Sequence, residues 1–127
     1  MPSDSVDFRF PKSHHLCTRA DFDRVFEQGA RVGSRRLLAF VCANAVGHPR
    51  IGFATSRKLG NAVRRNRIRR VMREAYRLNQ QMLSAGVDVA FLPKRDWSDY
   101  RLGVVERSMQ SVLRKINERC QREVADH

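Results

Sequence analysis

The sequence has few cysteines, no long apolar run and no stretch typical of a targeting signal. Its three cysteines, Cys17, Cys42 and Cys120, are odd in number and widely spaced, which excludes a disulfide framework and a Cys-x-x-Cys metal site. No window approaches the roughly 18 consecutive apolar residues of a membrane-spanning helix, and the first residues lack the basic and apolar segments of a signal peptide. We therefore expect a reduced, cytoplasmic protein with no membrane partner.

The sequence also lacks the motifs that carry protein-based catalysis. Its acidic residues are scattered, so they form no carboxylate cluster of the kind with which protein nucleases hold metal ions. His14, His15, His48 and His127 show no metal-ligand spacing, and we expect them on the surface. There is no P-loop, nucleophile elbow or dinucleotide fingerprint. We expect no catalytic residue and no metal ligand in the polypeptide itself.

Positive charge, in contrast, is abundant. The 127 residues include 25 Lys and Arg against 13 Asp and Glu, a formal charge of +12, and 21 of the 25 cations are Arg. The guanidinium group is a planar fork that binds phosphate through two hydrogen bonds and stacks on bases. A chain of this length forms one domain, and this charge predicts a nucleic-acid partner without deciding between RNA and DNA.

The patterning predicts the order helix, strand, strand, helix, strand, helix, which is an α+β sandwich of helices on a small sheet. We expect helices at 19–28, between Asn61 and Gly86, and after a cap at Ser98 or Asp99, with strands at 35–43, 51–56 and 87–92. The first two strands should form a hairpin, and the βαβ crossover should make the last two parallel. Flexible tails are expected at 1–17 and 123–127, around a single domain at 18–122.

The long central helix carries most of the positive charge. Nine cations and a single acid, Glu74, lie between Arg57 and Arg77. At about 100° per residue, one arc opposite the apolar stripe collects several polar residues: Asn66, Arg69, Arg70, Arg73 and Arg77, with Arg65 and Arg67 at its edges. A solvated helix would interleave acids at i+4, so this unbalanced arc favours phosphate binding over simple solubility.

Two further features have two interpretations each. Asn61 is either a plain N-cap or also part of an anion site, since a helix N-terminus presents free amides beside Arg57 and Lys58. Phe22, Phe26 and Phe40 are either core residues or a platform on which unpaired bases stack. The residues alone leave both alternatives open.

The segment from Gly52 to Glu74, GFATSRKLGNAVRRNRIRRVMRE, resembles the signature of the bacterial ribonuclease P protein subunit. Its Arg65-Asn66-Arg67 triplet is similar to the Arg-Asn-Arg motif of that family. The segment from Leu16 to Gly29 resembles the family's opening helix, and 88–93 lies where the family has its last strand. The resemblance covers nearly the whole domain.

The resemblance implies a ribonucleoprotein endonuclease that removes the 5′ leader from precursor tRNA. The implied partners are the ribonuclease P RNA and precursor tRNA, without an obligate protein partner. The RNA subunit would hold the catalytic Mg²⁺ and perform the chemistry, so the protein alone would be inactive. The residues that the resemblance places against the catalytic RNA are Arg57, Lys58, Asn61, Arg65, Asn66, Arg67, Arg69, Arg70 and Arg73.

The resemblance also implies a cleft for the single-stranded leader, formed by Phe22, Phe26, Leu38 and Phe40. Family members often have Tyr where this chain has Phe40, so base stacking would survive here without the hydroxyl group. The implied fold is that of ribosomal protein S5 domain 2, with a left-handed crossover, whereas general sequence rules predict a right-handed one. A ribosomal or RNA-chaperone protein with the same basic helix is the alternative function.

Overall fold

The computed structural model describes residues 12–16, 18–94 and 101–125, which form a mixed α+β fold. Within these ranges the chain forms the following helices and strands: α1 Arg19–Gln28, β1 Ala30–Gly33, β2 Leu37–Ala43, β3 Arg50–Phe53, α2 Ala62–Asn79, β4 Val87–Pro93 and α3 Leu102–Ala125. The expected caps Ser98 and Asp99, and most of the expected N-terminal tail, lie outside the described residues.

The four strands form one sheet in the order β1-β2-β4-β3. β4 runs antiparallel to β2 and parallel to β3, which confirms the predicted parallel pair across the crossover. The predicted hairpin between β2 and β3 is wrong, because β4 lies between them. β4 is buried from Val87 to Phe91, so it gains most from the central position, where both of its faces are covered.

The sequence prediction missed β1 altogether. Ala30–Gly33 has one large apolar residue, Val32, so it shows no alternation that would indicate a strand. β1 pairs antiparallel with β2. The hairpin of the sheet is therefore formed by β1 and β2, one strand earlier in the chain than predicted. Its turn is fixed by the Ser34 amide, which donates to the Leu37 carbonyl at 2.8 Å.

One face of the sheet carries α2 and α3 and holds the main core. Ile68 and Met72 of α2 and Val105 and Met109 of α3 are fully buried against it, together with Phe91 of β4. These residues recur at three- and four-residue spacing, so the predicted apolar stripe of the central helix is confirmed, and α3 buries a stripe with the same spacing.

Polar contacts join the ends of the two helices. The Asn79 amide group donates to Ala75 O at 2.7 Å and to Glu106 Oε1 at 3.1 Å, and its oxygen accepts from Gln110 at 3.0 Å. α2 ends at Asn79, earlier than the predicted limit at Gly86. A short 3-10 turn, Gln80–Met82, follows it.

The opposite face of the sheet carries α1. Thr18 caps α1 by accepting from the Asp21 amide at 3.0 Å, and Gly29 ends it, as predicted. Val25 is fully buried in a second, smaller apolar cluster with Ala90 and Leu16. α1 thereby packs over β2 and β4, and side chains at the edge of this cluster stay half-exposed.

Part of the expected N-terminal tail lies against the sheet. His15 forms a β-bridge with Ile51, and the Leu16 amide donates to Ile51 O at 2.8 Å. The predicted domain boundary at residue 18 stays a prediction, while residues 12–16 contribute to the packing around β3. Within the described parts of the chain, no helix has the length and apolar character needed to cross a membrane.

Candidate nucleic-acid interface

The solvent-facing side of α2 is strongly basic, as predicted. Asn61 caps the helix through its Oδ1, which accepts from the Arg64 amide at 3.0 Å. The exposed residues along the middle of the helix are Asn66, Arg67, Arg70 and Arg73, which we call the basic face. The opposite side buries Ile68, Met72 and Ala75, so the helix presents these cations outward on a rigid support.

Two arginines at the border of the basic face are half-buried. Arg69 donates to Thr55 Oγ1 at 2.5 Å and also to Asn66 Oδ1, so it ties the helix to the segment that follows β3. Arg65 has a buried Nε with no hydrogen-bond partner among the described residues. A buried unpaired donor costs about 1–3 kcal/mol, and an incoming acceptor would satisfy it.

Arg77 differs from the other arginines of the predicted arc. It donates to Glu74, with Nε 3.2 Å from Oε2 and a second bond from Nη2 to Oε1. This hydrogen bonding lowers the pKa of Glu74 and raises the pKa of Arg77. The charge of Arg77 is thus already offset within the protein, which separates it from Arg70 and Arg73.

The segment before α2 adds further exposed groups beside the basic face. Arg57 and Lys58 are exposed in a 3-10 turn, Arg57–Leu59, whose cap is the Ser56 hydroxyl, which accepts from the Lys58 amide at 3.1 Å. Val63 is 71% exposed in the first turn of α2. Sequence reasoning missed Val63, because it sought charged residues and an apolar stripe and passed over one apolar side chain outside that stripe.

The second predicted surface lies where α1 meets the sheet. The Phe22 and Phe26 ring centroids lie 6.1 Å apart, and Phe26 meets Phe40 edge to face at 5.3 Å. Leu38 lies on the same face of β2 as Phe40, since side chains alternate along a strand. All four side chains are half-buried, and we call them the aromatic patch. They are both core packing and accessible surface, so neither alternative excludes the other.

Gly52 of β3 makes room for this patch. A Cβ at residue 52 would lie 2.7 Å from Phe22 Cε1 and 3.1 Å from Leu16 Cβ, closer than packed atoms approach. The end of the Phe22 ring therefore occupies the space beside Gly52 that a side chain would fill. Gly52 and Phe22 were both noted in the sequence, but nothing there indicated that they are in contact.

A buried ionic cluster, also unpredicted, fixes α1 against the strands. Asp88 of β4 is fully buried and accepts from Arg50 Nε at 2.8 Å and Nη2 at 2.7 Å, and from Asn44 Nδ2 at 2.8 Å. Arg24 of α1 also binds this carboxylate, and its Nη1 donates to Cys42 Sγ at 2.9 Å. The cluster joins α1, β2, β3 and β4 beside the aromatic patch.

The same contacts determine the ionisation of Asp88. Burial acts to raise the pKa of its carboxyl group, but hydrogen bonds from Arg50 and Asn44 and the charges of Arg50 and Arg24 outweigh burial and lower the pKa. Asp88 is therefore ionised near neutral pH, where its single negative charge is shared between Arg24 and Arg50.

The histidines near β3 are not the exposed surface residues that the sequence suggested. The His14 and His48 rings stack with centroids 4.1 Å apart, and both are half-buried. Burial, together with the nearby His48 and His15, lowers the pKa of His14. Among the described residues, no three His, Cys, Asp or Glu side chains are arranged to bind a metal ion.

The α+β fold, the basic face and the aromatic patch together define a small RNA-binding protein. The family model described as Ribonuclease P matches residues 10–117, and the chain belongs to the ribonuclease P protein family. The ribonuclease P protein component of Pelotomaculum thermopropionicum is 41% identical over 95 residues, which cover 75% of this chain and 85% of that protein. That of Finegoldia magna is 35% identical over 112 residues, covering 87% and 98%.

Solved structures agree with this assignment. The RNase P protein of Staphylococcus aureus superposes with a TM-score of 0.73 at 30% identity, covering 83% of this chain and 96% of that one. The RNase P protein of Thermotoga maritima gives a TM-score of 0.70 at 25% identity, covering 80% and 96%. The chain is thus a protein component of a ribonuclease, with a role in tRNA processing and an RNA partner, and its fold is consistent with that of ribosomal protein S5 domain 2.

Proposed function

We propose that this protein binds the catalytic RNA of ribonuclease P through the basic face and its flanks. The observation that carries the proposal is that Arg67, Arg70 and Arg73 are exposed on α2 and form no ion pair with a carboxylate of the described residues, in contrast to Arg77. The residues assigned to this contact are Arg57, Lys58, Asn61, Arg65, Asn66, Arg67, Arg69, Arg70 and Arg73. Phosphates would offset the mutual repulsion of these cations, and they would supply the acceptor that Arg65 Nε lacks.

The aromatic patch is assigned to the 5′ leader of precursor tRNA. Unpaired bases stack on aromatic rings with about 1–3 kcal/mol per base, with little sequence preference. Phe22, Phe26 and Phe40 offer half-exposed ring surface on one face of the sheet, and Leu38 extends that surface. Such a patch suits leaders of many sequences, because every base has a flat apolar face.

Cleavage itself is assigned to the RNA subunit and to the Mg²⁺ that the RNA holds. The protein's part is to orient the substrate and to offset phosphate repulsion, which lowers the magnesium concentration that the reaction needs. Among the described residues, Cys42 and Cys120 form no disulfide, which is consistent with a reducing, cytoplasmic location. The family assignment favours this function over the ribosomal or RNA-chaperone alternative.

The test is cleavage of precursor tRNA at low magnesium by ribonuclease P RNA alone, by the protein alone and by both together. We expect cleavage at the mature 5′ end only when both are present. Cleavage by the protein alone would contradict the assignment of chemistry to the RNA. RNA binding without any gain in cleavage would favour the chaperone alternative.

A further inference from the structure

A second cluster of arginines lies far from the basic face, in a cavity of about 270 Å³ between the β1–β2 turn and the first turns of α3. Three arginines and three serines line this cavity: Arg35, Arg36, Arg107, Ser34, Ser108 and Ser111. Among the described residues, no acidic side chain lines it. We call it the arginine–serine cavity.

The cations of the cavity are available to a ligand. Within the described ranges no carboxylate forms an ion pair with Arg35, Arg36 or Arg107, and Arg35 and Arg107 are exposed. Three like charges that converge on one cavity repel each other in the free protein, and they are stabilised by a bound anion. In contrast, Arg24 and Arg50, on the α1 side of the sheet, are both paired with Asp88.

The frame of the cavity is held by hydrogen bonds before any ligand arrives. The Ser34 amide donates to Leu37 O at 2.8 Å, and the Lys94 amide donates to Arg36 O at 3.0 Å. Lys115 Nζ of α3 donates to Gly33 O at 2.6 Å and links the helix to the turn. Ser34 and Ser108 are buried, at 9% and 8% exposure. The backbone frame of the site therefore needs no rearrangement when a ligand binds.

The cavity and the basic face lie on different sides of the helical layer. α3 packs over β1 and β2, whereas α2 packs beside β3, at the other edge of the sheet. An RNA segment bound along the basic face therefore does not account for the arginine–serine cavity. An anion bound in the cavity would therefore be a separate one.

From this arrangement we infer that the arginine–serine cavity binds a backbone phosphate of a second RNA segment. An arginine fork binds two phosphate oxygens, and the Ser111 hydroxyl can donate a single hydrogen bond to a remaining oxygen. The Ser34 hydroxyl already donates to Leu37 O at 3.5 Å. The inference rests on the proposed function in one respect, that the polyanion is RNA. The phosphate comes from the ribonuclease P RNA or from precursor tRNA, and the chemistry of recognition is the same for both.

The test compares Arg36→Ala, Arg107→Ala and the double variant with Arg122→Ala. Arg122 is exposed on the same helix, about 22 Å from Arg107 along the helix axis, so its replacement removes the same charge without touching the cavity. Affinity is measured against salt concentration in two arms: ribonuclease P RNA binding to the protein, and precursor tRNA binding to the assembled holoenzyme. Thermal unfolding of each variant confirms that it is folded.

We expect each cavity variant to weaken binding about tenfold in one arm and to lower the salt slope by about one, with a much smaller effect of Arg122→Ala. The arm that responds identifies the RNA. Arg107→Lys should recover only part of the affinity, since it keeps the charge and loses the fork. If the cavity variants match Arg122→Ala in both arms, the inference is overturned.

An Arg70→Ala/Arg73→Ala double variant separates this result from the proposed function. Loss of RNA binding by that variant together with wild-type binding by the cavity variants would overturn the cavity alone. Unchanged binding by all of these variants would overturn the proposed function as well.

Discussion

The ring of Phe22 lies over Gly52, in the space that a side chain at residue 52 would occupy. This contact joins α1 to β3 across the face of the sheet that carries the aromatic patch. Because Gly52 has no side chain, the Phe22 ring can approach the backbone of β3 closely. The proposed function assigns this ring to the leader. The orientation of the patch depends on this pair as much as on the aromatic residues themselves.

Gly52→Ala should therefore displace Phe22 and weaken the preference for leader-bearing substrate. The new Cβ would lie 2.7 Å from Phe22 Cε1, so the ring must move. We expect a several-fold loss in binding of precursor tRNA to the holoenzyme, with little change for leaderless tRNA. Gly103→Ala is the matched control, because a Cβ there meets no atom within 4 Å. Equal binding by the two variants would contradict the role of this contact.

Phe22→Ala tests stacking directly. Loss of one stacking ring should cost about 1–3 kcal/mol in leader binding, which corresponds to roughly a 5- to 150-fold change. Binding constants for precursor tRNA and leaderless tRNA measure the effect, and the loss should be confined to the precursor. Val25→Ala removes a buried side chain from the same cluster and keeps all four side chains of the patch, so it reports the effect of lost stability on both RNAs. A similar loss for both RNAs would indicate core damage.

Arg73→Ala should weaken holoenzyme assembly and lower the salt slope of RNA binding by about one. Arg77→Ala is the control on the same helix, because the charge of Arg77 is already paired with Glu74. We expect the effect of Arg77→Ala to be several-fold smaller. The measurement is the dissociation constant for ribonuclease P RNA at a series of salt concentrations. Equal effects of the two replacements would mean that α2 acts through net charge and not through the basic face.

Asp88→Asn should lower the free energy of unfolding by about 3–5 kcal/mol, because it leaves Arg24 and Arg50 without their buried carboxylate. Urea unfolding measures this change. Glu74→Gln breaks an ion pair that is much more exposed and should cost under about 1 kcal/mol. If Asp88→Asn lowers the free energy of unfolding no more than Glu74→Gln does, the ionic cluster does not stabilise the fold as we propose.

The same cluster predicts a pH dependence of stability. The folded-state pKa of Asp88 is lower than its usual value of 3.8, so the carboxylate contributes stability above that value. This contribution is lost as the pH falls from about 4 through the lower folded-state pKa. Wild-type protein should therefore lose more stability than Asp88→Asn between neutral pH and this acid range. Parallel pH profiles for the two proteins would contradict the prediction.

Local sequence signals predicted the helical elements well. The apolar period of α2, its N-cap at Asn61 and its exposed arginines all depend on residues close in sequence, and the structure confirms each. The exception is Arg77, whose charge is offset by a residue three positions away. That pairing is local, but a count of charges along an arc does not distinguish paired from unpaired cations.

The strand order and the ionic cluster could not be read from local signals. β1 shows no alternation, and β4 enters between β2 and β3 because its apolar residues need cover on both faces. In the sequence, Asp88 is a single acid in an apolar strand, and nothing nearby in the chain explains it. In the fold, Arg24, Arg50 and Asn44 reach it from three other segments of the chain.

The charge, the basic helix and the family membership follow from the order of the residues, because each depends on residue type and short-range spacing. Three features follow from packing instead: Phe22 lies over Gly52, Asp88 binds α1 to the sheet, and a second group of arginines lines one cavity. These features join residues far apart in the chain. They arise from packing, in which the burial of each side chain depends on all the others.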